Sequence, residues 1–501
     1  MKSEDLTKAI GEVDEKMIAE ADAVRSKKRK PRWILYAAAA ACLAIVVAIA
    51  KPLWTKSEQK TEQIPLGKPD HSVLYDADSS VTDRLIALAK YPQMAKRPSD
   101  IDYTDDYEAY DRAYEEWYAD RTAIKEATPT PKNSDYFDHF YRTSAAEFLS
   151  ESEDENLVYS PSNVYMALAM LSELTDGQSR EQILQLLGTE SIEELRTEAK
   201  HLWMSNYFDD GTLTTVMANS VWLDDSLPYN QETLTRLAEE YYASSYSGTM
   251  GSEEYDALLR DWLNRQTGGL LEDQVKELSF DPRTVMALAS TVYFKGQWND
   301  RFYEENTKQQ VFHATNGDVT TDFMCSSDLG MAYWGESYTA VEKPMEGGAS
   351  MWLILPDEGK TVADVLSEGE IFEMTKAGAD WTQKKYLQLN LQMPKFDVSS
   401  KLDLVGSLQK LGVRDIFDYS VSDFTPMSSA LENVYVDKVE HAARVMVDEK
   451  GCTAAAYTVI MIECGAAICE DELDFVLDRP FLFVITGCGD QPLFIGIVNQ
   501  V

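Results

Sequence analysis

The sequence predicts an α+β domain toward the carboxyl end, on three observations. Helical apolar spacing dominates the first part of that region, with Phe137, Phe140, Tyr141, Ala145 and Phe148 on one face. Period-two and continuous apolar runs dominate the last part, from Leu387, Leu389, Leu391 and Met393 to residues 481–485 and 493–498. Between them helices and strands interleave without regular strand–helix–strand alternation, which argues against a doubly wound parallel sheet.

The totals narrow the function classes. A net charge of −39 over 501 residues, with a pI near 4.4, argues against nucleic acid and heparin-like polyanions as partners. The cysteines, Cys42, Cys325, Cys452, Cys464, Cys469 and Cys488, form no CxxC pair, so neither a zinc ribbon nor a thioredoxin-like site is expected. Five scattered histidines make a multi-histidine metal site improbable. No cofactor or metal is expected, and no GxSxG nucleophile pattern accompanies His441.

Four segments follow in order. Residues 1–32 hold an amphipathic stretch (Leu6, Ile10, Val13, Met17, Ala21, Val24) and the basic run 25–32. Residues 33–54 read as a transmembrane helix, because 33–50 carry no charge and Trp33, Tyr36 and Trp54 suit the interfaces. The basic side precedes the span, so the amino terminus is expected in the cytoplasm and the rest outside the cell membrane, a single-pass arrangement. Ala48-Ile49-Ala50 also resembles a signal-peptide cleavage site, but the long preceding region favours an uncleaved anchor. Residues 55–133 read as an acidic, tyrosine-rich spacer, and residues 134–501 as the globular domain.

Within the domain, 136–149 is predicted helical. Ser160-Pro161-Ser162-Asn163 opens a second helix, and Ser179 with Gln182 offers a capping box for a third. Residues 290–294, 351–355, 387–393 and 434–447 are predicted strands. The stretch 449–467 fits neither class: its small residues offer little to bury, yet it is too apolar for an ordinary loop. Such a segment suits a change of state.

Several motifs in this order resemble the serpin family over about residues 134–501. Residues 156–163 are similar to its Asn-x-x-x-Ser-Pro-x-Ser opening, with Asn163 in place of the last serine. Residues 288–298 are similar to its Leu-x-Asn-x-x-x-Phe-Lys-Gly-x-Trp segment, with Ser290 where asparagine is usual. Ala218-Asn219, Pro394-Lys395-Phe396, Asp423-Phe424, His441, residues 449–458, Asp478-Arg479-Pro480-Phe481 and Leu493-Phe494-Ile495-Gly496 complete the series.

The resemblance implies a serpin fold of three β-sheets, about nine helices and an exposed reactive-centre loop. It implies no enzyme but a suicide-type inhibitor, whose partner is a serine protease that becomes covalently bound as the loop inserts into the central sheet. Hinge residues would be Glu449, Gly451, Cys452, Thr453, Ala454, Ala455 and Ala456. Ser160 and His441 match the shutter, where strands part; Lys395 and Glu449, with Trp298 nearby, match the breach ion pair. The reactive bond counts to Gly465–Ala466, flanked by Glu463, Cys464 and Ala467. These small residues suit elastase-like or subtilisin-like proteases with shallow pockets.

The residues support a physical check. Converting 452–465 to strand carries the loop on the order of 45 Å, fourteen residues at about 3.3 Å each. Alternation puts Cys452, Ala454, Ala456, Thr458, Ile460 and Ile462 on one face, all small, β-branched or apolar. Tyr457 and Glu463 fall on the other. The alternative function is a non-inhibitory serpin-fold module that binds or senses at the membrane.

Overall fold

The computed structural model describes residues 84–98, 106–150, 154–269, 271–377, 381–431, 433–452 and 471–501. They all belong to one compact unit, Leu66–Val501. The predicted span 33–54 lies outside them; among the described residues no helix is long and apolar enough to cross a membrane.

The described chain opens with β1 (Leu85–Ala87) and a long helix, α1 (Tyr107–Ala127). Asp106 caps α1, its carboxylate accepting from the Ala109 N–H at 2.9 Å. Then come α2 (Asp138–Phe148), β2 (Leu157–Tyr159) and α3 (Pro161–Leu174). Pro161 starts α3 where a missing N–H costs nothing, and the Ser160 hydroxyl accepts from the Asn163 N–H at 3.2 Å.

The capping box expected at Ser179 and Gln182 does not form. Helix α4 (Gly177–Leu187) starts two residues earlier, where the Asp176 N–H donates to the Asp423 carbonyl at 3.0 Å. The buried Ser179 hydroxyl accepts from the Asp423 N–H instead, and the Gln182 carbonyl accepts from Arg414 and Asp415. Contacts from a distant loop override the local cap.

The chain continues through α5 (Ile192–Asn206), β3 (Phe208–Asp209), β4 (Leu213–Asp224), α6 (Gln231–Glu240), β5 (Ala243–Gly248), α7 (Glu253–Gln266), α8 (Glu272–Val275) and β6 (Met286–Gln297). Next are β7 (Lys308–Ala314), β8 (Gly317–Trp334), β9 (Tyr338–Pro344), β10 (Ser350–Pro356), α9 (Val362–Glu368), α10 (Glu370–Ala377) and β11 (Lys384–Pro394). It ends with β12 (Phe396–Asp403), α11 (Val405–Lys410), β13 (Glu440–Val447), β14 (Gly451–Cys452), β15 (Glu472–Val476), β16 (Phe481–Thr486) and β17 (Pro492–Val498).

Among the described residues the strands join into two continuous ladders, where three sheets are expected. The first runs β1-β5-β4-β6-β14-β13-β12, with β3 attached to β4. The second runs β15-β11-β8-β9-β10-β16-β17-β2, with β7 attached to β8. The 18-residue β8 pairs with β7, β11 and β9 along its length, so what would be two sheets share one ladder.

Strand β13 is shorter than the predicted 434–447. Val434, Val436 and Val439 pack against the helical core without a ladder, and the Val436 N–H donates to the Ile416 carbonyl at 2.7 Å.

Three apolar cores hold the first sheet in place. One lies between it and α2–α6; one lies between the two sheets and includes Phe294, Trp298, Phe396, Val445 and Phe483. The third lies under α7 on the outer face, around Trp222, Tyr255, Leu259 and Trp262.

The described part of the expected spacer also packs on this body. β1 lengthens the sheet beyond β5, the Tyr91 ring packs at an angle against the stacked pair Trp203 and Tyr242, and buried Trp117 donates its indole N–H to Asp210 at 3.0 Å. Trp117 is buried and Tyr91 and Tyr110 are half-buried, so the aromatic residues of this stretch give it surface to bury.

Candidate functional site: a strand slot with a hinge at its mouth

Strands β6 and β13 form no ladder with each other among the described residues. Instead Gly451 and Cys452 stand between them. Gly451 pairs with Gln297, and Cys452 pairs with Gly296 on one side and Val447 on the other. With one strand interposed, β6 and β13 are two strand spacings apart here, on the order of 10 Å.

The local sequence makes this entry possible. The Lys450 and Gly451 N–H groups both donate to the Asp448 carboxylate, at 2.8 and 3.2 Å, forming a tight turn off the end of β13. A Cβ at Gly451 would sit 2.1 Å from the Gly296 carbonyl oxygen, so only glycine lets the chain approach β6 this closely. Cys452 is 2% exposed and joins the inter-sheet core with Phe294 and Val447. Its side chain faces inward, as the alternation argument requires.

At the same end, Lys395 Nζ stands 2.7 Å from Glu449 Oε1. The Thr307 hydroxyl donates to the same oxygen at 2.8 Å. Burial pushes the Glu449 carboxyl upward, but the bonds from Lys395 and Thr307 outweigh it and hold it below the usual glutamate range. Trp298 donates its indole N–H to the Asp448 carbonyl at 2.9 Å and its backbone N–H to the Lys450 carbonyl at 3.1 Å. Thr307 is absent from the sequence-derived set, and no local motif marks it.

Further along the slot lies the second predicted group. His441 is buried, and its Nε2 accepts the Ser160 backbone N–H at 3.0 Å. Burial pushes its pKa down to about 4, so the ring is neutral at physiological pH and acts as an acceptor. Across the slot, Asn163 donates Nδ2–H to the Ser290 carbonyl at 3.0 Å. The Ser290 hydroxyl donates to Asn219 Oδ1 at 2.6 Å, and Asn219 donates to the Tyr241 carbonyl at 2.7 Å.

The structure therefore gathers Glu449, Gly451, Cys452, Lys395 and Trp298 at the mouth, and Ser160 with His441 deeper in. Thr453, Ala454, Ala455, Ala456, Glu463, Cys464, Gly465, Ala466 and Ala467 lie outside the described residues. Among the described residues no group of His, Cys, Asp or Glu could hold a metal ion.

A family profile described as serpin (serine protease inhibitor) matches residues 138–501. The chain belongs to the serpin family. This serpin is 28% identical over 364 residues to Serpin-ZX of Arabidopsis thaliana, covering 69% of this chain and 92% of that protein. It is 27% identical to plasminogen activator inhibitor 1 of Mus musculus, covering 71% and 89%. Among solved structures it is similar to the thermophilic serpin Tengpin in the native state, with a TM-score of 0.65, 24% identity, and 75% and 98% of the two chains covered. It is also similar to thyroxine-binding globulin complexed with thyroxine, with a TM-score of 0.62, 21% identity, and 73% and 98% covered. These two structural likenesses concern the serpin fold alone, which hosts more than one function.

Proposed function

We propose that this serpin is a suicide-type inhibitor of extracytoplasmic serine proteases with shallow pockets, elastase-like or subtilisin-like. The observation that carries this reading is Gly451–Cys452 standing between β6 and β13. A chain that enters a sheet at its first two residues has a ready template for the rest.

The register says how far the template reaches. Continuing the pairing of Cys452 with Gly296 down β6 sets Thr458 against Ser290 and Ile462 against Met286, the last residue of the strand. The inward positions on that register are the small and apolar ones, so burial of the strand leaves no charge unpaired on the core face. Gly465 lies three residues past the last rung.

The protease serine attacks the carbonyl of Gly465, and the amine of Ala466 leaves. The ester that remains ties the protease to the end of the inserting strand. Insertion separates the acyl group from the body's upper end before water can release it. Residues 33–54 tether the domain to the cell membrane, with residues 1–32 in the cytoplasm.

Incubation with subtilisin or an elastase gives a protease–serpin band that survives SDS. A broad panel of serine proteases that cut the loop and leave no such band would sink this reading and favour the non-inhibitory binding module.

A further inference from the structure

Helix α1 keeps an aromatic face in the open. At 3.6 residues per turn, Tyr107, Asp111, Tyr114, Glu115 and Tyr118 share one side of it, along about 16 Å of helix. The three tyrosines are 78%, 43% and 60% exposed, where a helix that only braces the body would present ordinary polar residues. The rings are also ordered. Tyr114 and Tyr118 stack with centroids 6.5 Å apart and 9° between their planes, and Tyr110 continues the row at 6.3 Å.

The other side of α1 is fixed. Buried Trp117 bonds Asp210, Arg121 lies over the Trp117 and Phe208 rings at 5.1 and 4.8 Å, and the Asp120 carboxylate accepts the Ala95 N–H at 2.8 Å. A face held this way offers tyrosine area with little freedom left to lose on binding.

The same anchors put α1 at the mouth of the slot. The Asp210 N–H donates to the Leu213 carbonyl at 3.3 Å, and the Leu213 N–H donates to the Asp210 carboxylate at 3.2 Å. Leu213 pairs with Gly296, and Gly296 pairs with Cys452. Two strand spacings, about 10 Å, therefore separate the strand end that holds α1 from the hinge. A serine protease of about 230 residues has a radius of gyration near 17 Å, wide enough to span the gap between the loop and this helix.

Charge narrows the partner. Residues 106–120 hold Asp106, Glu108, Asp111, Glu115, Glu116 and Asp120 against Arg112. A second copy of the chain would bring these acids face to face, and an anionic lipid surface would meet the same repulsion. Tyrosine faces interleaved with carboxylates suit lysine and arginine side chains.

We propose that the Tyr107–Tyr118 face of α1 is a second docking surface for the target protease, one that receives a patch of Lys and Arg beside that protease's cleft. The proposal rests on the inhibitor reading above and adds a requirement to it. The loop selects a shallow pocket; α1 selects a basic surface and speeds the encounter.

The test uses the full chain in detergent with a basic pancreatic elastase, and with the same elastase after acetylation of its lysines, which removes their charge. The rate of SDS-resistant complex formation is measured at about 50 and about 500 mM NaCl. Wild type reacts with the basic elastase about tenfold faster at low salt than at high salt. Y107S/Y114S/Y118S, which leaves the net charge unchanged, reacts about tenfold more slowly than wild type at low salt, with the same melting temperature and the same ratio of complex to cleaved chain. D111N/E115Q reacts about threefold more slowly and loses part of the salt dependence. With the acetylated elastase all three chains react within about twofold of one another. Variants as fast as wild type with the basic elastase overturn the docking surface, and so does a loss of equal size with the acetylated enzyme. A wild-type dimer in sedimentation that the triple variant breaks also overturns it, because the face then belongs to a second copy. If no band survives SDS with either form of elastase, the inhibitor reading falls and the docking surface falls with it; if the band forms equally fast with every chain, the docking surface alone falls.

Discussion

The Lys395–Glu449 pair shows how one contact divides into a strong half and a weak half. Lys395 is 37% exposed, so the Coulomb attraction is screened, whereas the Glu449 side chain is 9% exposed and depends on its partners. Lys395→Ala leaves the carboxylate with Thr307 and its own backbone N–H, and is expected to lower unfolding stability by about 1 kcal/mol in urea titration. The loop should also insert more readily, read as a faster gain of heat resistance. His441 supplies a pH dependence. Its pKa falls from 6.5 to about 4 on folding, so the unfolded chain binds more protons between those values. Native stability therefore drops as pH falls from 6.5 toward 4, by on the order of 3 kcal/mol in all, and this contribution is flat below 4. Urea midpoints at pH 7 and pH 5 check it: the wild type loses more than His441→Gln across that interval. Much of this chemistry was legible in the sequence, since Lys395, Glu449, Ser160 and His441 sit in motifs. Thr307 and Asn219 were not assigned these contacts, because a hydroxyl or amide meeting a partner 142 or 71 residues away leaves no local pattern.

At the scale of elements, β14 decides whether the loop can enter. Gly451→Ala drives a methyl into the Gly296 carbonyl and should block the hinge from seating between β6 and β13. Cys452→Arg places an unpaired charge in the inter-sheet core and should turn the inhibitor into a substrate. Gel analysis with subtilisin reads both: cleaved chain accumulates and the SDS-resistant band fades by more than about tenfold. The period-two argument identified the inward face of Cys452 before any fold was known, because alternation is a property of the backbone. Helix α4 shows the opposite case. Ser179 and Gln182 have the right spacing for a cap, but the loop at Arg414–Asp423 takes both side chains, and sequence spacing carries no word of a loop more than 230 residues away. Likewise 434–439 has strand composition, and the helical core takes its valines instead.

For the whole molecule, the sequence separated a late strand-rich body from its amino-terminal appendage but misjudged how far the body extends. Residues 84–98 and α1 complete the first sheet's edge and the surface around α5. Tyr91→Ala removes a half-buried ring from beside the stacked Trp203 and Tyr242 and should cost roughly 2 kcal/mol, visible as a lower melting temperature. The merged second sheet was also illegible, because one long strand and two short ones share the same composition. Membrane tethering by residues 33–54 predicts that the intact chain stays with the membrane fraction after a high-salt wash. A mature protein that begins at Lys51 would remove the anchor. The central claim is that cleavage and insertion are one event, and intact-mass analysis of the product formed with subtilisin tests it most directly. The account predicts a species equal in mass to the protease plus residues 1–465, with the 36-residue fragment 466–501 released on denaturation. Recovery of both serpin fragments free of protease, at every ratio of the two proteins, would contradict it.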